Sequence, residues 1–337
     1  MNSKLLLILG GLGVSAFAFL SIVFWAAVIY LNKKISVDIL MLVIIILTVA
    51  DLWRIDARGA KYHDAPEIKN QFEAPQYVTV IKSQNDKDPF RMLNLKQDKS
   101  LGSFSQNSNF NAYFLLEDFY GYSGIKPRAY QDIMDVVGPA NPTLWRMLGV
   151  KYLVLDQPVQ MGGITLLSGS EKTFVYRNDA SLPRAYFVNK VEKKSGADVL
   201  NLIKENAFDP KEIAFVQDKD LKVDTLDSTA SSKIIKYTDE KLQLDVNASG
   251  NNFMFFGSTY LPTGWKAFVD KKQTEILKTN HGFMGIVVPK GKHKVEFHYA
   301  PTSFYISKYI VLILSSLSIL GIILGIFFER RNQKKVN

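Results

Sequence analysis

Apolar residues are distributed unevenly along the chain. Three stretches are almost purely apolar, and the rest alternates on the scale of ordinary strands and helices. The first run, Leu5 to Leu31, contains no charge. As a helix it is roughly 40 Å long, enough to cross a hydrocarbon core with tilt. The second, Ile39 to Ala50, becomes a span only if Asp38 and Asp51-Leu52-Trp53 sit at interface depth. The third, Tyr309 to Phe328, is about 30 Å long as a helix, the thickness of the core itself. The pattern predicts membrane helices over 5–31, 36–53 and 305–328, then a basic tail over 329–337. Ala16-Phe17-Ala18 resembles a signal-cleavage site, but the chain stays apolar through Leu31, which favours a retained helix.

Basic residues orient these spans. Lys33 and Lys34 separate the first two runs, and Arg330, Arg331, Lys334 and Lys335 follow the third. Cytoplasmic loops carry the excess of Lys and Arg. Both basic segments are therefore expected inside, and everything from Arg54 to about Lys308 outside. Gly321 and Gly325 lie four apart in the third run, as do Gly11 and Ser15 in the first, a spacing that lets helices approach closely in lipid.

Between the spans the pattern changes once. Over 54–228, helix-like and strand-like stretches mix. Tyr77 to Ile81, Arg91 to Leu95, Lys151 to Leu155, Phe187 to Val191 and Glu212 to Val216 read as strands. Tyr130 to Val137, Leu144 to Leu148 and Ala197 to Glu205 read as short helices, the second opened by Asn141-Pro142. This is the pattern of an α/β domain. Over 229–304, strand-like runs are separated by Asn247-Ala248-Ser249-Gly250, Pro262-Thr263-Gly264 and Pro289-Lys290-Gly291, which predicts a β-sandwich. The expected fold class is thus an α+β membrane protein: three transmembrane helices, an extracytoplasmic α/β domain and a β-sandwich.

Composition sharpens this picture. Mean hydropathy is +0.01 with 47% hydrophobic residues, an average over membrane helices and an ordinary polar body. The net charge is +9, yet more than half of that surplus sits in the flanks of the apolar runs. The body between them has a mixed surface with no basic stripe, so nucleic acid is not an expected partner. The chain has no cysteine, which excludes disulfides, thiolate metal sites and a cysteine nucleophile.

Catalytic signatures are missing. The chain contains no HExxH, Walker loop, GxGxxG or GxSxG. Its histidines are His63, His281, His293 and His298; the last two point to opposite faces of one predicted strand, so they cannot share a metal. The nearest carboxylate pairs, Glu117-Asp118 and Asp132-Asp135, are expected to be solvated. No cofactor, metal site or catalytic residue is predicted. Aromatics concentrate at Phe104, Phe110, Tyr113, Phe114, Phe119, Tyr120 and Tyr122, beside Gln106, Asn107, Asn109 and Asn111. Phenylalanines there suit a core, whereas a tyrosine hydroxyl can reach solvent and stack on a sugar. Lys126 and Arg128 lie between Tyr122 and Tyr130, and cations suit a phosphate. Tyr120, Tyr122, Lys126, Arg128 and Tyr130 are therefore the candidate glycan or lipid-phosphate contacts.

Four stretches carry a resemblance to a known family. They are Asp51-Leu52 at the end of an apolar run; Gly121 to Asp132, similar to GYxGxKxxxYQD; Trp145 to Val154 followed by Leu182-Pro183-Arg184-Ala185-Tyr186; and Tyr260 to Asp270, Asn280, Pro289 to His293 and Phe297 to Pro301. The last group is similar to YYPGWKAxVDG, PxGxH and FxYxP. Together they resemble the C-terminal part of YfhO-type bacterial membrane proteins. The Gly expected after Asp270 is replaced by Lys271. Trp265, Asp270, Asn280, Pro289, Gly291 and His293 are the motif residues, read here as structural.

The resemblance implies a place in the GT-C-like glycosyltransferase class, in the bacterial plasma membrane. There, relatives transfer sugars from polyprenyl-phosphate carriers to envelope polymers such as lipoteichoic acid. It also implies that the catalytic carboxylate belongs to an upstream helical half with no counterpart here. The chain is expected to be non-catalytic by itself and to assist such glycosylation. Its expected partners are the bilayer, a separately encoded membrane protein with the missing helices, and an envelope glycan or polyprenyl-phosphate sugar. The alternative is a stand-alone membrane-anchored glycan-binding module.

Overall fold

The computed structural model of the chain describes residues 29–59, 72–106, 108–170 and 172–336, together with Ile22 and Trp25. It divides into two compact units, one ending at Glu73 and one beginning at Ala74.

The predicted span 5–31 lies almost wholly outside the described residues of the first unit. A turn over 32–35, with Lys33 at φ 58°, leads into helix α1 (Val37–Gly59). Asp38, Asp51, Arg54 and Asp56 lie within α1. Its uncharged stretch is therefore only about 18 Å long, short of the ~30 Å hydrocarbon core.

The second unit is built from three sheets. The first has the order β1 (Arg91–Asn94), β2 (Val150–Leu155), β4 (Thr173–Asn178), β3 (Ile164–Ser170), with β1 and β2 parallel. Helix α2 (Gln76–Ser83) covers one face. Its Tyr77, Val78 and Ile81 pack with Met92, Tyr152, Val154 and Val175. The expectation of a strand over Tyr77 to Ile81 is thus corrected. Val and Thr there favour strands locally. The buried positions, however, repeat at helical spacing, and packing on the sheet outweighs propensity.

The second sheet runs β5 (Ala185–Val188), β10 (Asn252–Phe256), β14 (Phe283–Val288), β13 (Leu277–Thr279), β7 (Ile213–Val216), β6 (Lys190–Lys193). The third runs β12 (Lys272–Thr274), β11 (Trp265–Val269), β15 (Gly291–Tyr299), β9 (Lys241–Ala248), β8 (Ser231–Thr238). The second sheet is the central layer, buried on both faces. Phe253 and Phe255 of β10 point into a core with helices α4 (Arg128–Val136), α5 (Pro142–Met147) and α6 (Gly196–Lys204) and with the first sheet. Met254 and Phe256 point the other way, onto Leu242, Leu244, Val295 and Phe297 of the third sheet. Successive strand residues face opposite sides, so double burial explains why Phe253 to Phe256 is apolar without alternation. A short helix α3 (Phe110–Tyr113) completes this unit before the C-terminal helix.

The sandwich is therefore present, but its inner sheet takes β5, β6 and β7 from before residue 229. A division at 228/229 does not separate two folds. Hydrophobic burial decides this: the apolar faces of β5, at Ala185 and Phe187, have their partners in the C-terminal strands.

After β15 only Ala300 and Pro301 precede helix α7 (Thr302–Val336). Among the described residues, its segment Thr302–Gly325 is the one helix long and apolar enough to cross a membrane. It has 24 residues, a mean hydropathy of 2.1 and no buried positions.

Candidate functional site

The most connected polar cluster gathers residues that are far apart in the chain. Glu117 Oε1 accepts from Arg91 Nε at 3.2 Å and from Arg184 Nη2 at 2.7 Å. Tyr237 donates its hydroxyl proton to Glu117 Oε2 at 3.0 Å and accepts from Arg184 Nη2 at 2.5 Å. Arg91 Nη1 also donates to the carbonyls of Leu148 and Gly257, both at 2.8 Å. Arg184 is 1% exposed, and its Nε and Nη1 make no hydrogen bond among the described residues. Two guanidiniums thus share one carboxylate, leaving a positive balance. Burial and the like charge of Arg184 pull the Arg91 pKa down to about 10, against the attraction of Glu117. For Glu117, burial pushes the carboxyl up, but Arg91, Arg184 and the Tyr237 hydroxyl overcome it and hold it below the usual range.

Glu117 and Tyr237 also line a half-open cavity of about 650 Å³. Its walls include Asp88, Phe90, Ile234 and Asp239. Leu115, held at φ 57°, and Ile235 stand at its edge, 92% and 53% exposed. A neighbouring cavity of about 490 Å³ shares Asp88, Phe90 and Ile234 and adds Lys151, Arg177 and Lys233.

Asp118, next in sequence, faces other partners. It accepts from Asn111 Nδ2 at 2.6 Å and from the Tyr120 N–H at 3.1 Å. Asn111 in turn accepts from the Tyr77 hydroxyl at 2.6 Å. Burial dominates these hydrogen bonds and pushes the Asp118 carboxyl up to about 7. The expectation that Glu117-Asp118 is a solvated pair is therefore corrected: the two diverge into separate hydrogen-bonded networks, Glu117 on Arg91 and Arg184 while itself 38% exposed, and Asp118 on Asn111 and the Tyr120 N–H.

The tyrosine-rich loop is only partly convergent. Tyr120 stacks on Phe104 at 4.5 Å, with Lys126 Nζ 5.5 Å from its ring centre. Tyr122 is 61% exposed, and Asn109 clamps its backbone by accepting from its N–H and donating to its carbonyl, both at 2.9 Å. Arg128 turns away to Asp132 at 2.7 Å. Tyr130 donates to the Phe119 carbonyl at 3.3 Å, and burial pushes its hydroxyl up to about 12. Asn109 and Asn111 are thus occupied by the protein itself, and Asn107 lies outside the described residues.

The motif residues of the sandwich hold turns and joints. Trp265 packs on Phe256 and Tyr299, with ring centres 5.5 and 5.3 Å away. Asp270 and Lys271, at φ 50° and 68°, form the two-residue turn between β11 and β12, the geometry that usually favours glycine. Asp270 meets His293 Nδ1 at 2.6 Å and accepts from the Lys294 N–H at 2.8 Å. The hydrogen bond to Asp270 raises the His293 pKa. Asn280 is fully buried and mimics a strand neighbour, accepting from the Phe215 N–H and donating its own N–H to the Phe215 carbonyl, both at 2.8 Å. Pro289 is exposed in the turn before β15, which Gly291 opens at φ 122°. His281, which the sequence did not single out, meets Asp132 at 3.1 Å. No group of His, Asp or Glu able to hold a metal ion occurs among the described residues.

Arg91, Glu117, Arg184 and Tyr237 escape sequence reasoning because no local spacing joins them. The available signal was Arg184, which lies inside one of the stretches that carry the family resemblance.

The fold and cluster describe a class: an α+β body fused directly to an apolar helix. The model of the family described as bacterial membrane protein YfhO matches residues 193–311, from the end of β6 through the sandwich into α7. Over this stretch the chain is similar to YfhO-type proteins, in line with the resemblance read from the sequence. No curated protein and no solved structure matches the chain.

Proposed function

We propose that this chain is the non-catalytic, membrane-tethered part of a system for polyprenyl-phosphate-dependent glycosylation of a cell-envelope polymer. It holds an acceptor glycan or lipid-linked sugar while a membrane-embedded catalytic partner performs the transfer. The body lies on the extracytoplasmic side of the plasma membrane, 5–31 and 36–53 are further spans, and the basic tail is cytoplasmic. One observation carries this reading: the half-open cavity lined by Glu117 and Tyr237, with Arg91 and Arg184 behind them, in a body joined to an apolar helix by two residues. A carboxylate and a phenol suit sugar hydroxyls, and a positive background suits a phosphate.

The test uses the full chain in nanodiscs and an undecaprenyl-phosphate monosaccharide as probe. Glu117→Gln and Tyr237→Phe are each expected to weaken retention about tenfold, the scale of one hydrogen bond to a charged group. Unchanged retention in two folded variants sinks the assignment. A stand-alone glycan-binding module is the second reading, favoured by the exposed and rigidly clamped Tyr122. Glycan binding by the purified chain without any co-expressed membrane protein selects it.

A further inference from the structure

The junction between sandwich and helix is short and tightly hydrogen-bonded. The Tyr299 N–H donates to the Glu240 carbonyl and the Ala300 N–H to the Gly264 carbonyl, both at 2.7 Å. The Phe304 N–H donates back to the Pro301 carbonyl at 3.1 Å, so the helix begins at once. Three residues of chain reach at most about 10 Å, so Gly264, at the end of the Leu261–Gly264 turn, is held close to the first residue of α7. A helix of 24 residues is about 36 Å long, more than the ~30 Å core, which leaves its first turn at headgroup depth.

The chemistry at this end suits that depth. Leu261, Pro262, Thr263, Gly264 and Trp265 carry no charge, and Pro262 and Thr263 are exposed. Trp265 stacks on Tyr299. A side chain at Gly264 would meet the Tyr299 ring at 2.2 Å, so the turn lies flat on that ring. Phe304, Tyr305 and Tyr309 follow on the first helical turns, exposed by 61%, 39% and 59%. Tyrosine and tryptophan favour the membrane–water interface. The opposite end of β15 is charged at Lys290 and Lys292, about 30 Å away along the strand, while Asp270 and Lys271, level with Lys294, are about 20 Å from Gly264; at the near end the exposed Asp239-Glu240 turn flanks the uncharged patch.

We infer that the Leu261–Gly264 turn, together with Tyr299, is a docking surface for the headgroup zone of the bilayer, which orients the body on the membrane. The surface rests on α7 being a membrane span and not on the glycosylation role. It also sets the Glu117–Tyr237 cavity near the lipid. Asp239 lines that cavity beside Glu240, whose carbonyl is bonded to Tyr299.

The chain has no cysteine, so single labels are clean. Thr263→Cys, Lys290→Cys and Ser316→Cys are each spin-labelled in the full chain, in phosphatidylcholine nanodiscs containing a nickel-chelating lipid. The expected result is a severalfold faster relaxation of the label at 263 than of that at 290, with the label at 316 accessible to oxygen but not to a soluble nickel chelate. Equal relaxation at 263 and 290, with 316 still buried in lipid, overturns the docking surface alone. Access of the soluble chelate to 316 overturns the membrane span and the docking surface with it.

Discussion

The sandwich carries an acid–base cluster at each end, made of similar groups that are enclosed to different degrees. Near the helix, Glu117 binds Arg91 and Arg184, whose side chains are 13% and 1% exposed. Glu117 itself is 38% exposed; at the other end Asp270, 54% exposed, binds His293, 16% exposed, at 2.6 Å, with no fully buried charge among them. Water screens the second pair, so it orders a turn and contributes little energy. In the first, the positive charges have left water, and removing one member strands the others. Burial, more than the identity of the charged groups, sets what each cluster can do.

The largest expected effect therefore belongs to the buried end. Arg184→Ala should cost about 3–5 kcal/mol, because Glu117 and Tyr237 lose a buried partner. Urea unfolding of the full chain in detergent measures it; a loss below about 1 kcal/mol would remove the distinction between the ends.

Asp118 provides a pH test beside the same cluster. Its folded pKa, about 7, lies above that of an ordinary aspartate, so ionisation opposes folding. The stability of the native protein relative to Asp118→Asn should be greatest below about pH 4 and should decline as pH rises towards 7. A flat difference across that window contradicts an enclosed carboxyl.

Tyr122→Ala should change stability by less than about 0.5 kcal/mol, since the side chain is exposed and only its backbone is clamped. Glycan retention should nevertheless fall if the loop binds sugar, and calorimetric titration with an envelope glycan reads this directly. The smallest effect is expected at the exposed end. The folded pKa of His293 is raised, so its pairing with Asp270 supports stability below the unfolded value of about 6.5 and is lost as pH rises through the folded value. The difference in melting temperature between the native protein and His293→Ala should shrink from pH 5.5 to 8.5. A difference that grows instead reverses the assigned sign.

Particular elements show what the sequence could convey. The Thr302–Gly325 helix was legible because its residues are apolar along its own length, a property local to the segment. Most sandwich strands were legible from alternation and turn residues, as in Lys292 to Tyr299 with its buried Val295 and Phe297. Asn141 was legible as a helix cap, and it accepts from the Leu144 N–H at 2.9 Å. Helix α2 was misread because five strand-favouring residues hid a helical spacing that only the first sheet rewards. The hairpin of β3 and β4 was missed altogether, since its burial is partial and its polar positions blur the alternation.

The sequence by itself thus determined the local features: an apolar helix, capped short helices, alternating strands, and the charge distribution around the apolar runs. These follow from neighbours within a few residues, whose spacing repeats with the helix or strand period. Only the tertiary structure decided that β5 to β7 complete the sandwich, that Glu117 and Asp118 part company, and that residues 91, 117, 184 and 237 share one network. Burial and long-range charge pairing act through space, between segments that the order of residues leaves more than a hundred positions apart.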